Sequence, residues 1–212
     1  MKNINWKLCL VADAEAAGDK NIISVILEAV EGGASLVQIR GKKLKTRQFL
    51  EMGLKATSIL KAKNIPLIIN DRVDIALSCE ADGVHLGPHD LPLFFARKIL
   101  GGNKLIGVSV NTVKEAVEAE KGGADYLGVG PIFFTQTKKD LRPTLGLEGL
   151  RSIRERVKVP LLAIGGINLE NAREIIKAGA DGIAVVSAIL AAEDVRLATR
   201  ELREAVGNIS KQ

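Results

Sequence analysis

Polar residues able to bind a ligand stand at the ends of most of the short apolar runs in this chain, and the densest group is Gln38-Ile39-Arg40-Gly41-Lys42. Gln38, Arg40 and Lys42 alternate, so if the extended chain continues through them they point to one side, where two cations suit a polyanion such as a diphosphate. The next run ends in Asn70-Asp71, and the one after it in His85-Leu86-Gly87 followed by Asp90. Carboxylates brought to one rim suit Mg²⁺, which takes few protein oxygens and keeps waters and phosphate oxygens. The plainer reading makes Asp71 and Asp90 caps of the helices that follow, and spacing does not separate the two. Asn70 is placed to orient a carboxylate or bind an amide.

Further along, one run carries Ser109, and residues 131–146, PIFFTQTKKDLRPTLG, form a long connection rich in hydroxyls and cations. Long connections in such proteins are usually binding loops, which makes Thr135, Thr137 and Lys138 candidates for phosphate oxygens and leaves Lys139 and Arg142 as solvated charges. Gly165-Gly166-Ile167 and Val186-Ser187-Ala188 follow the last two runs, where backbone N–H groups can approach a phosphate; a pair of tight turns would read the same way. His85 reads as a satisfied interior histidine and His89 as a turn residue. The Phe94-Phe95 and Phe133-Phe134 pairs read as packing, with one of the latter able to wall a ring.

These residues need a scaffold that brings strand ends together. Apolar runs recur at 8–11, 36–40, 66–70, 83–86, 105–110, 126–129, 161–164 and 182–186, with helical periodicity between them, for example Val113, Ala116 and Val117 or Ala172, Ile175 and Ile176. Eight runs of this kind match a parallel barrel whose strands are buried on both faces. The expected fold is therefore α/β, a (β/α)8 TIM barrel in a single domain over residues 1–212, with an open doubly wound sheet as the alternative. Gly33-Ala34-Ser35, Gly123-Ala124-Asp125 and Gly179-Ala180-Asp181 form a weak repeat, each closing a helix before a strand, and Glu80-Ala81-Asp82 takes the same place before the fourth run. The stretch 182–192 reads as a buried strand, and 194–206 as the eighth and last helix.

Composition narrows the function. The 30 basic and 25 acidic residues leave a formal charge of +5, most basic residues stand beside Glu in helical stretches, and aromatics are only 3 % of the chain, so a stacking nucleic-acid surface is not expected. No apolar stretch reaches the roughly 20 residues a membrane span requires. The amino-terminal stretch MKNINWKLCLVADA carries Asp13 and lacks the apolar core of a signal peptide, and Cys9 and Cys79 show no pairing or metal pattern, which together point to a cytoplasmic protein with two buried thiols.

Taken in order, Gln38-Ile39-Arg40-Gly41-Lys42, Asn70-Asp71, Gly83-Val84-His85-Leu86-Gly87 with Asp90, Gly107-Val108-Ser109, Thr135-Gln136-Thr137-Lys138-Lys139-Asp140, Ile164-Gly165-Gly166-Ile167 and Ser187-Ala188-Ile189 resemble the thiamine phosphate synthase family. The resemblance spans nearly the whole chain, and the TxTKKD stretch with ND and the later Asp is its specific part. It implies an Mg²⁺-dependent transferase that joins 4-amino-2-methyl-5-(diphosphooxymethyl)pyrimidine to thiazole ethyl phosphate, or its carboxy form, and releases pyrophosphate. It further implies that Gln38, Arg40, Lys42, Asn70, Ser109 and Lys138 hold the pyrimidine diphosphate and that Arg40, Lys42 and Lys138 stabilise its departing charge. Asp71 and Asp90 would hold one Mg²⁺ per subunit, while Thr135, Gln136 and Thr137 with Gly166, Val186 and Ser187 would surround the thiazole phosphate. The sequence departs from the family where Gly41 replaces an acidic residue and where Pro88-His89 stands in place of Gln-Glu.

Rival readings are a thiazole tautomerase relative, which needs no diphosphate clamp, a phosphate-sugar epimerase or isomerase barrel, and a non-catalytic thiamine-phosphate-binding module. The outer helices of a barrel could support a homodimer, with no interface located by sequence.

Overall fold

A computed structural model describes residues 4–135 and 142–207. Its eight strands are β1 (Leu8–Asp13), β2 (Leu36–Arg40), β3 (Leu67–Asn70), β4 (Gly83–Leu86), β5 (Leu105–Val110), β6 (Tyr126–Val129), β7 (Leu161–Ile164) and β8 (Gly182–Val185). All pair in parallel in chain order, and β1 also pairs with β8, Leu8 opposite Ile183, which closes the barrel. The open-sheet alternative is thereby set aside. The helices between them are α1 (Ile22–Gly32), α2 (Thr46–Ala62), α3 (Val73–Ser78), α4 (Leu93–Leu100), α5 (Val113–Lys121), α6 (Gly146–Arg154) and α7 (Ala172–Lys177), followed by α8 (Ser187–Leu190) and α9 (Val195–Gly207).

Alternation along the strands divides the apolar residues between two cores. One face of each strand packs on the helices, as Leu8, Leu10 and Ala12 of β1 do; the other fills the barrel, where Cys9, Val11, Leu36, Ile68, Tyr126, Leu162 and Ala184 form a separate cluster. Two residues further along the same inward faces, Leu36 gives way to Gln38 and Ile68 to Asn70, both buried. The barrel is thus apolar at depth and polar toward the carboxyl ends of its strands, which concentrates chemistry at one rim.

The four-fold sequence repeat has a structural cause. Gly33, Glu80, Gly123 and Gly179 all adopt left-handed φ, from +56° at Glu80 to +108° at Gly33. In each case the following Ala N–H reaches back to a carbonyl five residues earlier, as Ala34 does to Ala29 at 2.9 Å and Ala124 to Ala119 at 3.0 Å, the double closure that ends a helix at a left-handed residue. The third position ties the preceding strand: Ser35 Oγ accepts from Leu8 N at 3.1 Å, and carboxylate oxygens of Asp82, Asp125 and Asp181 accept from Leu67, Ile106 and Leu161 N at 3.0, 2.7 and 2.9 Å. One motif therefore stops a helix and satisfies the start of a neighbouring strand at the barrel floor, opposite the rim that carries the candidate site.

The stretch 182–192, expected as a single buried strand, divides in two. β8 ends at Val185, the last residue with a ladder partner in β1, and Val186 leaves extended geometry with φ −113° and ψ −83°. The ladder to β1 stops there although β1 runs on to Asp13, and the chain turns into α8, burying Ile189 and Leu190 as helix residues. The helix expected at 194–206 is α9, Val195–Gly207, and is the ninth because of this inserted turn.

Candidate active site

The rim holds a cavity of about 360 Å³ reached by Gln38, Arg40, Asn70, His85 and Ser109 on one side and by Thr135, Gly166, Val186 and Ser187 on the other. A smaller recess of about 50 Å³ adjoins it and is shared by Arg40, Lys42, Asn70, Asp71, Asp90 and Ser109. The candidate residues of strands two to five thus meet in one place. Gln136, Thr137 and Lys138, with Lys139, lie outside the described residues.

At the end of β2 the strand stops at Arg40, so Lys42 does not continue the alternation of Gln38 and Arg40. It stands in a turn, closed by the Leu44 N–H donating to the Gly41 carbonyl at 3.3 Å, and still faces the same recess as Arg40. Arg40 is held by Asp13, the last residue of β1, whose carboxylate accepts from its Nη1. Asp13 is 2 % exposed and Arg40's side chain 12 %, and breaking such a buried pair by removing one partner typically costs about 3–5 kcal/mol. Arg40 Nε is buried with no hydrogen-bond partner among the described residues. Sequence reasoning passed over Asp13, whose place opposite Arg40 follows from the register of β1 on β2.

Asp71 and Asp90 meet across the recess. Neither caps a helix: α3 starts after Arg72 and α4 after Pro92, both without a side-chain cap, while the Asp90 carboxylate accepts from Gly87 N at 2.6 Å. Asp71 itself takes left-handed backbone, φ +64°, which turns the chain off β3. Burial, then the hydrogen bond and charge of Asp90, push the Asp71 carboxyl up to about 7, against the opposing pull of Lys42 and Arg40. Two carboxylates driven together in this way are relieved by a shared proton or by a cation. Among the described residues no group of three or more His, Cys, Asp or Glu forms a metal cluster, so the donor set is a two-carboxylate one. That set suits Mg²⁺, whose remaining positions water and phosphate oxygens fill, and does not resemble an all-protein cage.

Deeper in the barrel, His85 connects the rim to the interior. Its Nε2 lies 2.9 Å from Ser109 Oγ and its Nδ1 3.0 Å from Tyr126 Oη. In a neutral imidazole one nitrogen donates and the other accepts, so the two hydroxyls take opposite roles. Burial pushes the Tyr126 phenol well above its ordinary value and keeps it protonated, with Gln38 as its other side-chain partner. Glycines make room for this chain of rings: a Cβ on Gly107 would stand 2.1 Å from the Tyr126 ring and one on Gly128 2.7 Å from His85 Cε1. His85 is the satisfied interior histidine expected, but it also lines the cavity and holds Ser109.

On the opposite side, Gly165 and Gly166 follow β7 with φ +99° and +66°. A Cβ on Gly166 would meet the Phe134 carbonyl at 2.6 Å, so glycine lets the two loops come together beside Thr135. Asn111 Nδ2 donates to the carbonyls of Gly130 and Pro143, both at 3.1 Å, and so clamps the two stems of the long connection. Arg142, expected to be solvated, is half-buried against Glu115 on α5. Phe134 is exposed, whereas Phe133 packs on the core.

Residues 8–189 match the model of a family described as thiamine monophosphate synthase. The chain belongs to the thiamine monophosphate synthase family. Among relatives of this family, the thiamine-phosphate synthase of Clostridium novyi (strain NT) is 48 % identical over 200 residues, covering 94 % of this chain and 98 % of that one. The thiamine-phosphate synthase of Pyrococcus furiosus is 49 % identical over 203 residues, 96 % of each chain. A solved structure of the thiamine phosphate pyrophosphorylase from P. furiosus superposes with a TM-score of 0.87 at 46 % identity over 95 % of this chain and 96 % of that one. An N-acetylmannosamine-6-phosphate 2-epimerase from Clostridium perfringens, at 19 % identity over 86 % of this chain and 87 % of that one and a TM-score of 0.66, shares the fold alone.

Proposed function

We propose that this chain synthesises thiamine phosphate by joining 4-amino-2-methyl-5-(diphosphooxymethyl)pyrimidine to the ethyl phosphate of a thiazole, with release of pyrophosphate. The observation that carries the reading is the convergence of Arg40, Lys42, Asn70, Asp71, Asp90 and Ser109 on one recess beside a cavity large enough for a ring. A thiazole tautomerase has no use for such a clamp, and family membership with near-complete coverage of relatives named thiamine-phosphate synthase supports the synthase.

The reaction is a substitution at the pyrimidine methylene carbon: its C–O bond to the diphosphate breaks with the electron pair leaving on oxygen, and a C–N bond forms from the thiazole nitrogen. Two rings must be oriented and a departing charge stabilised, which favours preorganised donors over covalent chemistry by the protein. In this reading Arg40 and Lys42, with Lys138 from the long connection, donate to the diphosphate. Gln38, Asn70 and Ser109 fix the pyrimidine, and His85 fixes Ser109. Thr135, Gln136 and Thr137 with the backbone at Gly166, Val186 and Ser187 take the thiazole phosphate. Asp71 and Asp90 would hold Mg²⁺, which supplies neutralisation of the diphosphate charge when bound. The proposal includes a cytoplasmic setting, in keeping with two buried free cysteines, and a homodimer, which sedimentation of the purified protein would detect.

Product analysis tests the reading against its rivals. Purified protein given both substrates and Mg²⁺ should form thiamine phosphate and pyrophosphate in equal amounts. Isomerised thiazole without coupling would mean the tautomerase, and product binding without turnover a binding module.

A further inference from the structure

We infer that Asp13 and Glu15, the two carboxylates at the end of β1, are positioning residues that hold Arg40 and Lys42 at the end of β2 in the arrangement that receives the diphosphate. The inference rests on the assignment of those two cations to the diphosphate and adds the device that orders them. Its geometric basis is the pairing of the strands, in which Asp13 stands opposite Arg40 and the Ala14 N–H donates to the Arg40 carbonyl at 2.8 Å.

The two oxygens of Asp13 do different work. Oδ1 accepts from the N–H groups of Glu15 and Ala16 at 2.9 and 3.1 Å, and Oδ2 accepts from Arg40 Nη1. One buried carboxylate therefore fixes both the turn after β1 and the guanidinium. Glu15, placed by that turn, accepts from the N–H groups of Lys42 and Lys43 at 3.3 and 3.0 Å, and its Oε2 lies 3.9 Å from Arg40 Nη1. The backbone that carries Lys42 is thus held by a residue that Asp13 holds.

A carboxylate beside an anion site repels the anion, so its presence asks for a compensating use. An arginine has several rotatable bonds, and a side chain ordered before the ligand arrives does not charge that ordering to binding. With Nη1 held by Asp13, the guanidinium keeps its place beside the recess before an anion arrives. Asparagine at position 13 could not substitute, because both Asp13 oxygens accept from N–H groups and an amide nitrogen would confront one of them.

The test is steady-state kinetics of Asp13→Asn, Glu15→Ala, Arg40→Gln and the Asp13→Asn/Arg40→Gln double variant, with inorganic pyrophosphate as a competing probe. Asp13→Asn should raise the KM for the pyrimidine diphosphate and the inhibition constant of pyrophosphate about tenfold or more, with the thiazole phosphate KM within about threefold. Glu15→Ala, at a partly exposed position, should move the same two values in the same direction by about threefold, and it keeps the test open if Asp13→Asn does not fold. In the Arg40→Gln background the Asp13 change should add less than it does in the wild type, about the threefold expected of Glu15→Ala, because the route through Glu15 to Lys42 remains while the one through Arg40 is gone. Unchanged pyrimidine diphosphate and pyrophosphate constants in Glu15→Ala and in folded Asp13→Asn, alongside raised constants in Arg40→Gln, would overturn the inference and leave the diphosphate reading standing. Unchanged constants in Arg40→Gln would overturn both. A loss confined to thermal stability or active fraction would also overturn it, because it would reduce the carboxylates to structural parts.

Discussion

His85 Nε2 lies 2.9 Å from Ser109 Oγ, across the barrel from strand to neighbouring strand, and this contact joins a residue expected only to fill the interior to one expected only to touch the substrate. The contact exists because β4 and β5 pair in register with His85 opposite Gly107, where no side chain stands, and because Gly128 leaves the space that the imidazole occupies. The placing of the Ser109 hydroxyl therefore depends on a glycine of its own strand, Gly107, and on one of the neighbouring strand, Gly128.

Gly128→Ala tests this dependence. The added methyl would stand 2.7 Å from His85 Cε1, too close to persist, so the ring must move off Ser109. Overpacking of this kind costs about 1–3 kcal/mol of stability, and the misplaced hydroxyl should lower kcat/KM about tenfold or more. Thermal denaturation and steady-state rates check both values, and Ser109→Ala should add little to the kinetic loss if the two act on the same contact. Wild-type kinetics in a folded Gly128→Ala would show that His85 does not position Ser109.

Gly166→Ala tests the other half of the cavity. At φ +66°, with a Cβ 2.6 Å from the Phe134 carbonyl, alanine would strain the turn and push the loop that carries Thr135. The KM for thiazole phosphate should rise about tenfold while that for the pyrimidine diphosphate changes less than about threefold. An equal rise in both would mean that the two sides of the rim do not bind separate substrates.

The buried thiol at Cys9 gives a pH dependence with a definite sign. Burial pushes Cys9 up to about 12 from 9.0, so above pH 9 the unfolded chain releases a proton that the folded protein keeps. The associated stability is fully present below pH 9 and is lost as pH rises toward 12, at about 1.4 kcal/mol per pH unit. Tyr126, also raised by burial, adds in the same sense above pH 10. Urea denaturation between pH 9.5 and 10.5 should show Cys9→Ala losing stability less steeply than the wild type by about that slope, with the two curves nearly parallel at pH 8; parallel curves throughout would contradict the burial argument.

Much of this architecture was legible because a buried parallel strand and an amphipathic helix leave different periodicities, and all eight apolar runs coincide with strands to within two residues at either end. The helix-closing repeat was legible as well, since Gly33, Gly123 and Gly179 mark a left-handed backbone need; that Glu80 meets the same need without glycine was not. The longer apolar stretch 182–192 misled because hydrophobicity reports burial and not conformation: Ile189 and Leu190 are as buried in α8 as Ile183 and Val185 are in β8. At the rim, residues ending a strand were found by position alone. The Asp13–Arg40 pair escaped because it depends on which strands are neighbours and on their register, and the roles of Gly107 and Gly128 depend on side chains of other strands.

The two rim carboxylates carry the central claim, that a cation held by Asp71 and Asp90 completes the diphosphate clamp. Asp71→Asn suits the test because asparagine tolerates the positive φ at this position and removes charge without backbone strain. The decisive measurement is the initial rate of thiamine phosphate and pyrophosphate formation as Mg²⁺ is titrated, and in excess chelator, for the wild type, Asp71→Asn and Asp90→Asn. The account predicts equal amounts of both products, a rate abolished by chelator, and a half-saturating Mg²⁺ concentration raised about tenfold or more in each variant. Coupling that persists at full rate in chelator, or Mg²⁺ titrations that superpose for all three proteins, would contradict it.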